Sequence, residues 1–119
     1  MDPKTESILT SVKQMLGIQE DYTHFDPDII MHINSAFNIL QQLGVGPKEG
    51  FLITDKSQSW GDFETDSRRI QMMKTYVYMK VRIGFDPPAT STIMEAFKEQ
   101  IREMEWRLNV AVDPKEEMP

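Results

Sequence analysis

Residues 26–44 read DPDIIMHINSAFNILQQLG and decide the fold class. Their apolar side chains recur every three or four positions and form one stripe: Ile29, Ile30, Ile33, Phe37, Leu40 and Leu43. Because an α-helix completes a turn in about 3.6 residues, this spacing predicts a helix over 27–43 with one apolar face. Asp26 and Pro27 are typical of a helix start, and Gly44 is typical of a helix end. The stretch therefore predicts an all-α domain whose helices pack along apolar stripes.

The same spacing predicts three further helices, over 3–16, 66–83 and 92–108. Asp2 and Pro3 repeat the cap-then-proline start, and Thr92 with Glu95 matches a capping box. Gly84 is the predicted end of the third helix. We therefore expect about four helices in a small bundle. They form a single domain over 1–112, followed by a flexible C-terminal tail over 113–119.

A long loop over 44–65 separates the second and third predicted helices and is rich in Gly, Ser, Asp and Pro. Loops of this length are uncommon in compact domains and are usually functional or mobile. This loop also carries three large aromatic side chains, Phe51, Trp60 and Phe63. Residues 51–54 (FLIT) have the composition of a short strand, so one β segment is a candidate feature of the loop.

The composition excludes several classes of function. The chain has 119 residues and no cysteine, which fits one domain without a disulfide, a thiolate nucleophile or a cysteine-based zinc site. No apolar run is long enough to span a membrane, and the N-terminal residues lack the hydrophobic stretch of a secretory signal. The net charge of −6 argues against non-specific nucleic-acid binding by the whole surface, because acids near phosphates oppose it.

Motifs for metal, nucleotide or nucleophile chemistry fail at particular residues. Asp28 and His32 are one helical turn apart, but no pattern supplies further ligands. The nearest match to a calcium loop has Trp60 where glycine is required. The glycines of 44–50 have the wrong spacing for a phosphate cradle, and no Gly-x-Ser-x-Gly element occurs. We therefore predict no enzyme, no cofactor and no metal; a site built from His24 and His32 is the alternative.

The helix predicted over 66–83 concentrates positive charge. Residues 67–85 contain no acid and five basic residues: Arg68, Arg69, Lys74, Lys80 and Arg82. At about 100° per residue these charges do not share one face, which disfavours a nucleic-acid interface. Apolar residues spread around most of the helix, which predicts burial on several sides. Two interpretations stay open: contact with an acidic surface of another subunit, or a core helix whose charges extend outward.

Trp106 stands apart from the apolar face of the last predicted helix. That face comprises Ile93, Met94, Phe97, Ile101, Met104 and Leu108. Trp106 projects from nearly the opposite side, one turn after Arg102, whose guanidinium is expected over its ring. It is either a lid on the aromatic residues of the long loop or an anchor in an interface. The candidate interface residues are Trp106, Arg102, Tyr76, Tyr78, Lys80, Arg82, Arg68, Arg69, Trp60, Phe63 and Phe51.

Four segments occur in this order along the chain: HINSAF (32–37) leading to LGVGP (43–47), WGDF (60–63), YVYMKVR (76–82) leading to FDPP (85–88), and EMEWRLN (103–109). The ordered set lies within 16–109 and resembles the head–tail connector (adaptor) proteins of tailed bacteriophages. No single segment is diagnostic, and the resemblance rests on their combination.

The resemblance implies a virion structural protein. Its helical subunits would form a ring, dodecameric in the virion, docked under the portal protein at the head–tail junction. The ring would extend the channel through which DNA passes during packaging and ejection, without sequence-specific binding, and would carry the next neck or tail-completion protein. No membrane contact and no cofactor are implied, and the protein would be made in the host cytoplasm. The alternative is a small helical regulatory or nucleic-acid-binding module, which only the basic helix supports.

Overall fold

The computed structural model describes residues 3–112, with the side chains of 4–110. These residues form a 3₁₀ helix, Pro3–Thr5, and five α-helices: α1 Ile8–Leu16, α2 Asp26–Gln42, α3 Trp60–Phe63, α4 Ser67–Phe85 and α5 Ser91–Val112. The described part of the chain contains no strand, so the predicted all-α fold is confirmed. The one-turn helix α3, inside the predicted long loop, was not expected. The tail predicted over 113–119 lies outside the described residues.

The first long helix, α1, begins later than predicted. Its N-cap is Ser7, whose hydroxyl accepts a hydrogen bond from the Thr10 backbone N–H at 3.2 Å. Because Ser7 satisfies a backbone donor of the first turn, the helix starts at Ile8, and the preceding residues form a separate 3₁₀ turn. Gly17 ends α1 as predicted, with a φ of 81° that suits glycine. The predicted cap Asp2 lies outside the described residues.

The start of α2 differs from the prediction in the role of Asp26. The N-cap is Phe25, which makes no side-chain capping bond, and Asp26 lies inside the first turn. Its carboxylate Oδ1 lies 2.9 Å from Nζ of Lys13 on α1. The prediction of Asp26 as the cap is therefore wrong, because a cation on a neighbouring helix holds the carboxylate. α2 ends at Gln42, one residue before the predicted end.

The Asn34 side chain holds the middle of the loop between α2 and α3 against α2. Asn34 Oδ1 accepts the Ile53 backbone N–H at 2.8 Å, and Asn34 Nδ2 donates to the Ile53 carbonyl at 3.1 Å. The amide thus satisfies both backbone groups that a neighbouring strand would otherwise bond. The prediction of a short strand over 51–54 is wrong, because no segment of the described residues pairs with it as a strand.

The central helix α4 passes through its predicted end. Asp66 caps it by accepting the Arg68 backbone N–H at 3.0 Å, and the helix continues through Gly84 to Phe85. A Cβ at Gly84 would lie 2.6 Å from Cε1 of His32 on α2. The missing side chain therefore lets two helices approach closely, and Gly84 is not a helix stop.

The last helix, α5, also extends beyond its predicted bounds. The Thr90 hydroxyl accepts the Ile93 backbone N–H at 3.2 Å, so the helix starts before the capping box predicted at Thr92 and Glu95. It ends at Val112, four residues after the predicted end. With 22 residues it is about 33 Å long, which leaves room for a face that the rest of the subunit does not cover.

The core is built around α4, which packs against α1, α2 and α5. Its buried side chains are Ile70, Met73, Tyr76, Val77, Met79 and Val81. The spread of apolar residues around α4 is thus explained by packing within one chain. Of the two interpretations left open by the sequence, this packing favours the core helix with outward charges.

Candidate interaction surfaces

A buried lysine organises the connection between α1 and α2. The Lys13 side chain is 2% exposed, and its ammonium donates to the backbone carbonyls of Glu20 at 2.9 Å and Tyr22 at 2.8 Å. The third oxygen near it is Asp26 Oδ1, at ion-pair distance but in a direction that makes no hydrogen bond. A buried charge is tolerated only when several partners compensate it, and these three oxygens do so. The ammonium of Lys13 therefore holds the connection between α1 and α2 from inside the subunit.

The fixed connection presents acidic and aromatic side chains outward. Glu20, Asp21 and Tyr22, which we call the acidic turn, are exposed, and the Tyr22 side chain is half exposed. Residues 14–47 contain no Lys or Arg, so the covalent neighbourhood of the turn is also acidic. A cleft of about 640 Å³ lies beside the turn, between it and loop residues 54–56. The acidic turn is thus a shaped negative surface at one end of the helix pair α1 and α2.

A second surface lies where the start of α4 meets the end of α5. Here a crevice of about 240 Å³ is lined by Asp66, Arg68, Arg69, Met72, Arg107 and Leu108, and we call it the arginine crevice. Arg69 lies 3.5 Å from Glu64, and Arg107 lies 2.7 Å from Glu103. Arg68 is exposed and makes no ion pair with any residue in 3–112. The crevice therefore combines apolar side chains with a net positive lining, in which three arginines outnumber the single carboxylate of Asp66 and Arg68 is the arginine without an ion pair among the described residues.

The other basic side chains of α4 are mostly engaged within the chain. Lys74 pairs with Glu6 at 2.7 Å, and Arg82 lies 3.8 Å from Asp86. Lys80 forms no ion pair among the described residues and is half-buried. Three of the five basic residues of α4, Arg69, Lys74 and Arg82, are thus matched by acids of the same chain.

The third surface is the outer face of α5. Trp106 is 67% exposed, and Val110, one turn later, is 45% exposed. Arg102 forms an ion pair with Glu99 of its own helix and is not found over the indole ring, contrary to the prediction. Trp106 also makes no ring contact with the long loop, so the prediction of an internal lid is wrong: α5 turns this face to solvent. An exposed tryptophan on a regular helix is a typical interface anchor.

Three predicted interface residues are buried inside the subunit. Trp60 is 0% exposed, and its Nε1 donates to the Ser11 hydroxyl at 2.9 Å. Phe63 is nearly buried, with its ring centroid 4.6 Å from that of Phe37. Tyr76 is buried as well, and Phe51 is half-buried. The rings of Trp60, Phe63 and Tyr76 cannot touch a partner in this conformation, because α1, α2 and α5 already cover them.

Tyr76 and Tyr78 connect α4 to other parts of the same subunit. The Tyr76 hydroxyl donates to Glu105 Oε2 on α5 at 2.8 Å. Burial, and then the hydrogen bond and charge of Glu105, raise the pKa of Tyr76 well above its usual range, so the hydroxyl stays protonated. The Tyr78 hydroxyl accepts from Arg82, whose guanidinium also lies 6.0 Å from the Phe97 ring centroid. These side chains fix α5 on α4.

Lys13 was missed by the sequence reasoning although a signal was present. At about 100° per residue, Lys13 falls at the edge of the apolar stripe of α1, one turn after Leu9. A single lysine at the edge of an apolar stripe is expected to be buried with partners or to extend along the surface. Its partners, two carbonyls and Asp26, come from a turn whose path the sequence pattern does not define.

Within 3–112, no cluster of three His, Cys, Asp or Glu side chains is arranged to hold a metal ion. None of the helices in the same range combines the length and apolar content that a membrane span needs.

Comparison with known proteins identifies the family. A family model described as phage connector protein matches residues 8–115, which include most of the chain from α1 onward. No curated protein and no solved structure gives a significant match. The matched residues contain the acidic turn, the arginine crevice and the exposed face of α5. The chain belongs to the phage connector protein family.

Proposed function

We propose that the protein is a structural subunit of the connector between the head and tail of a tailed bacteriophage. Its copies form a ring under the portal, extend the channel through which DNA passes and carry the next neck or tail component. Membership of the phage connector family over residues 8–115 is the observation that carries this proposal. The protein acts in the virion, as one domain over 1–112, by binding other proteins and without catalysis or a cofactor.

The exposed surfaces support a role in assembly. Trp106 and Val110 on α5 offer an apolar face, and Arg68 and Lys80 on α4 keep positive charge that the described residues do not neutralise. Interfaces are enriched in tryptophan and arginine, which supply large contact area and directional hydrogen bonds. We therefore keep Trp106, Arg68 and the half-buried Lys80 as interface candidates, add Val110, and omit the buried Trp60, Phe63 and Tyr76.

The charge distribution supports a connector better than a nucleic-acid-binding module. The chain carries a net charge of −6, and three of the five basic residues of α4 pair with acids of the same chain. Little basic surface is left to neutralise phosphates. An acidic ring also suits a channel, because DNA slides past a surface of the same charge without adhering.

Assembly with the portal tests the proposal. Purified protein is mixed with purified portal protein, and the products are examined by native mass spectrometry and negative-stain electron microscopy. We expect a ring of this chain on one face of the portal, and the ring should then bind the next neck protein. Protein that stays monomeric and binds neither portal nor neck protein would overturn the proposal, whereas a monomer in the absence of portal is compatible with it.

A further inference from the structure

The acidic turn and the arginine crevice lie at opposite ends of α4. Phe25, three residues after Tyr22, packs its ring against Phe85, the last residue of α4, with centroids 5.3 Å apart. Arg68 and Arg69 belong to the first turn of the same helix. Since these arginines stand 16 and 17 residues before Phe85, the two surfaces are separated by about 25 Å along the axis of α4. One copy therefore carries a negative surface at one end and a positive surface at the other.

The two surfaces also complement each other in chemistry. The crevice is lined by Met72 and Leu108, by three arginines and by the single carboxylate of Asp66. The acidic turn offers the half-exposed ring of Tyr22 beside the carboxylates of Glu20 and Asp21. Arginine forms paired hydrogen bonds with carboxylates and stacks on aromatic rings, so a turn of this composition fits a crevice of that composition.

The acidic turn is ordered before any contact is made. Lys13 holds the carbonyls of Glu20 and Tyr22 from inside the subunit, which leaves the three side chains of the turn directed outward. A contact made by a preorganised turn loses less conformational entropy than one made by a mobile loop. This explains the presence of a lysine that is 2% exposed in a small core, where an apolar residue would otherwise be favoured.

We propose that the acidic turn of one copy inserts into the arginine crevice of the next copy. Tyr22 packs on the half-buried Met72, while Glu20 and Asp21 pair with Arg68 and with Arg107, which exchanges its exposed ion pair with Glu103 for the new one. The inference rests on the proposed function, because it names the contact through which identical subunits assemble. A contact between two different surfaces repeats from copy to copy and closes into a ring when the rotation between copies permits.

A second copy is the partner that the charges favour. Two copies with a net charge of −6 repel each other unless local surfaces of opposite sign meet. Residues 14–47 contain no Lys or Arg, and residues 67–85 contain no Asp or Glu, so each copy holds both halves of such a contact. Every subunit in a ring can then use both of its surfaces.

Charge reversal tests the contact. The turn variant is Glu20→Lys with Asp21→Lys, and the crevice variant is Arg68→Glu with Arg107→Glu. Each variant alone is expected to weaken ring formation, on the portal or in solution, about 30-fold or more, the size of a hot-spot loss. The turn variant is the more informative of the two. It reduces the net negative charge of each copy, so a loss of assembly cannot be explained by stronger general repulsion between copies.

Restoration distinguishes this contact from indirect effects. In an equimolar mixture of the two variants, the basic turn of one variant can bind the acidic crevice of the other, and their unchanged surfaces can bind as in the wild type. A single chain that carries all four changes has a basic turn and an acidic crevice, so its copies can bind one another. Both are expected to regain rings by native mass spectrometry and negative-stain microscopy. Glu49→Lys, a reversal of an exposed acid outside both surfaces, is the control and is expected to assemble normally.

The outcomes separate this inference from the proposed function. If wild-type protein forms rings on the portal and both variants do so equally well, the inference is wrong and the connector function stands. If both variants fail but neither the mixture nor the fourfold variant recovers, the inference is also wrong. If wild-type protein never binds portal or neck proteins, the proposed function itself fails. Circular dichroism melting of each variant checks that a loss of assembly is not a loss of folding.

Discussion

The two tryptophans of the chain lie in opposite surroundings. Trp60 is 0% exposed, stands in the loop region that folds over α1 and α2, and donates its indole N–H to Ser11. Trp106 is 67% exposed on the outer face of α5. A buried tryptophan with a satisfied N–H stabilises one subunit, whereas an exposed one on a regular helix is available to a partner. The comparison therefore separates the region around Trp60, which stabilises the fold, from the outer face of α5, which we expect to bind other subunits.

Trp60→Ala should have the largest effect. Removing a fully buried indole leaves a cavity, and the Ser11 hydroxyl, which still donates to the Ile8 carbonyl, loses the hydrogen bond that it accepts, so the free energy of unfolding should fall by about 4 kcal/mol. Urea denaturation followed by circular dichroism measures the change. Trp60→Phe is the control: it keeps most of the apolar volume and loses the hydrogen bond, and it should cost about half as much. Equal stability of wild type and Trp60→Ala would contradict the interior role.

Lys13→Met should have the next largest effect, because Asp26 would lose its compensating cation. Breaking a pair in which the lysine is 2% exposed should lower the free energy of unfolding by about 3 kcal/mol, measured by the same denaturation. Lys13→Met combined with Asp26→Asn removes both charges and should recover much of the stability. It should still assemble poorly, because nothing then holds the carbonyls of Glu20 and Tyr22. Normal assembly of the double variant would show that the Lys13 side chain does not prepare the acidic turn for contact.

Trp106→Ala should affect assembly rather than stability, in contrast to Trp60→Ala. At an exposed site the free energy of unfolding should change by less than about 0.5 kcal/mol, whereas assembly should weaken by about 2 kcal/mol or more. Denaturation of the free subunit and titration of portal-bound rings measure the two quantities separately. Val110→Ala, one turn away, is a milder change on the same face. A large loss of stability with unchanged assembly would assign Trp106 to the fold after all.

The same comparison shows how far the sequence defines this molecule. The periodic apolar stripe of α2 predicted a helix within one residue at each end, because a repeat of 3.6 residues is a local property. The burial of Trp60 was not predicted, and the sequence left Trp106 open between a lid and an interface anchor, since both depend on where the long loop folds. Asn34 and Ser11 help to fix that path through a few long-range hydrogen bonds, which leave no periodic signal. The family could be recognised from the order of four short segments along the chain, although the contacts made by individual side chains could not be derived from the sequence.

The link between α4 and α5 gives the smallest predicted effect and a distinct dependence on pH. Tyr76 donates to Glu105 from a buried position, so Tyr76→Phe should lower the free energy of unfolding by about 1 kcal/mol at neutral pH. Because folding raises the pKa of Tyr76 above its usual value of 10.0, the folded state keeps a proton that the unfolded state releases. The stabilisation from this group is complete below pH 10.0 and decreases above it, by about 1.4 kcal/mol per pH unit. Denaturation of wild type and Tyr76→Phe from pH 8 to 11 should therefore show a steeper alkaline loss in the wild type. If the free energy of unfolding fell equally with pH in both proteins, the Tyr76 hydroxyl would not join α5 to α4. The position of the α5 face that carries Trp106 would then depend on the other contacts between the two helices.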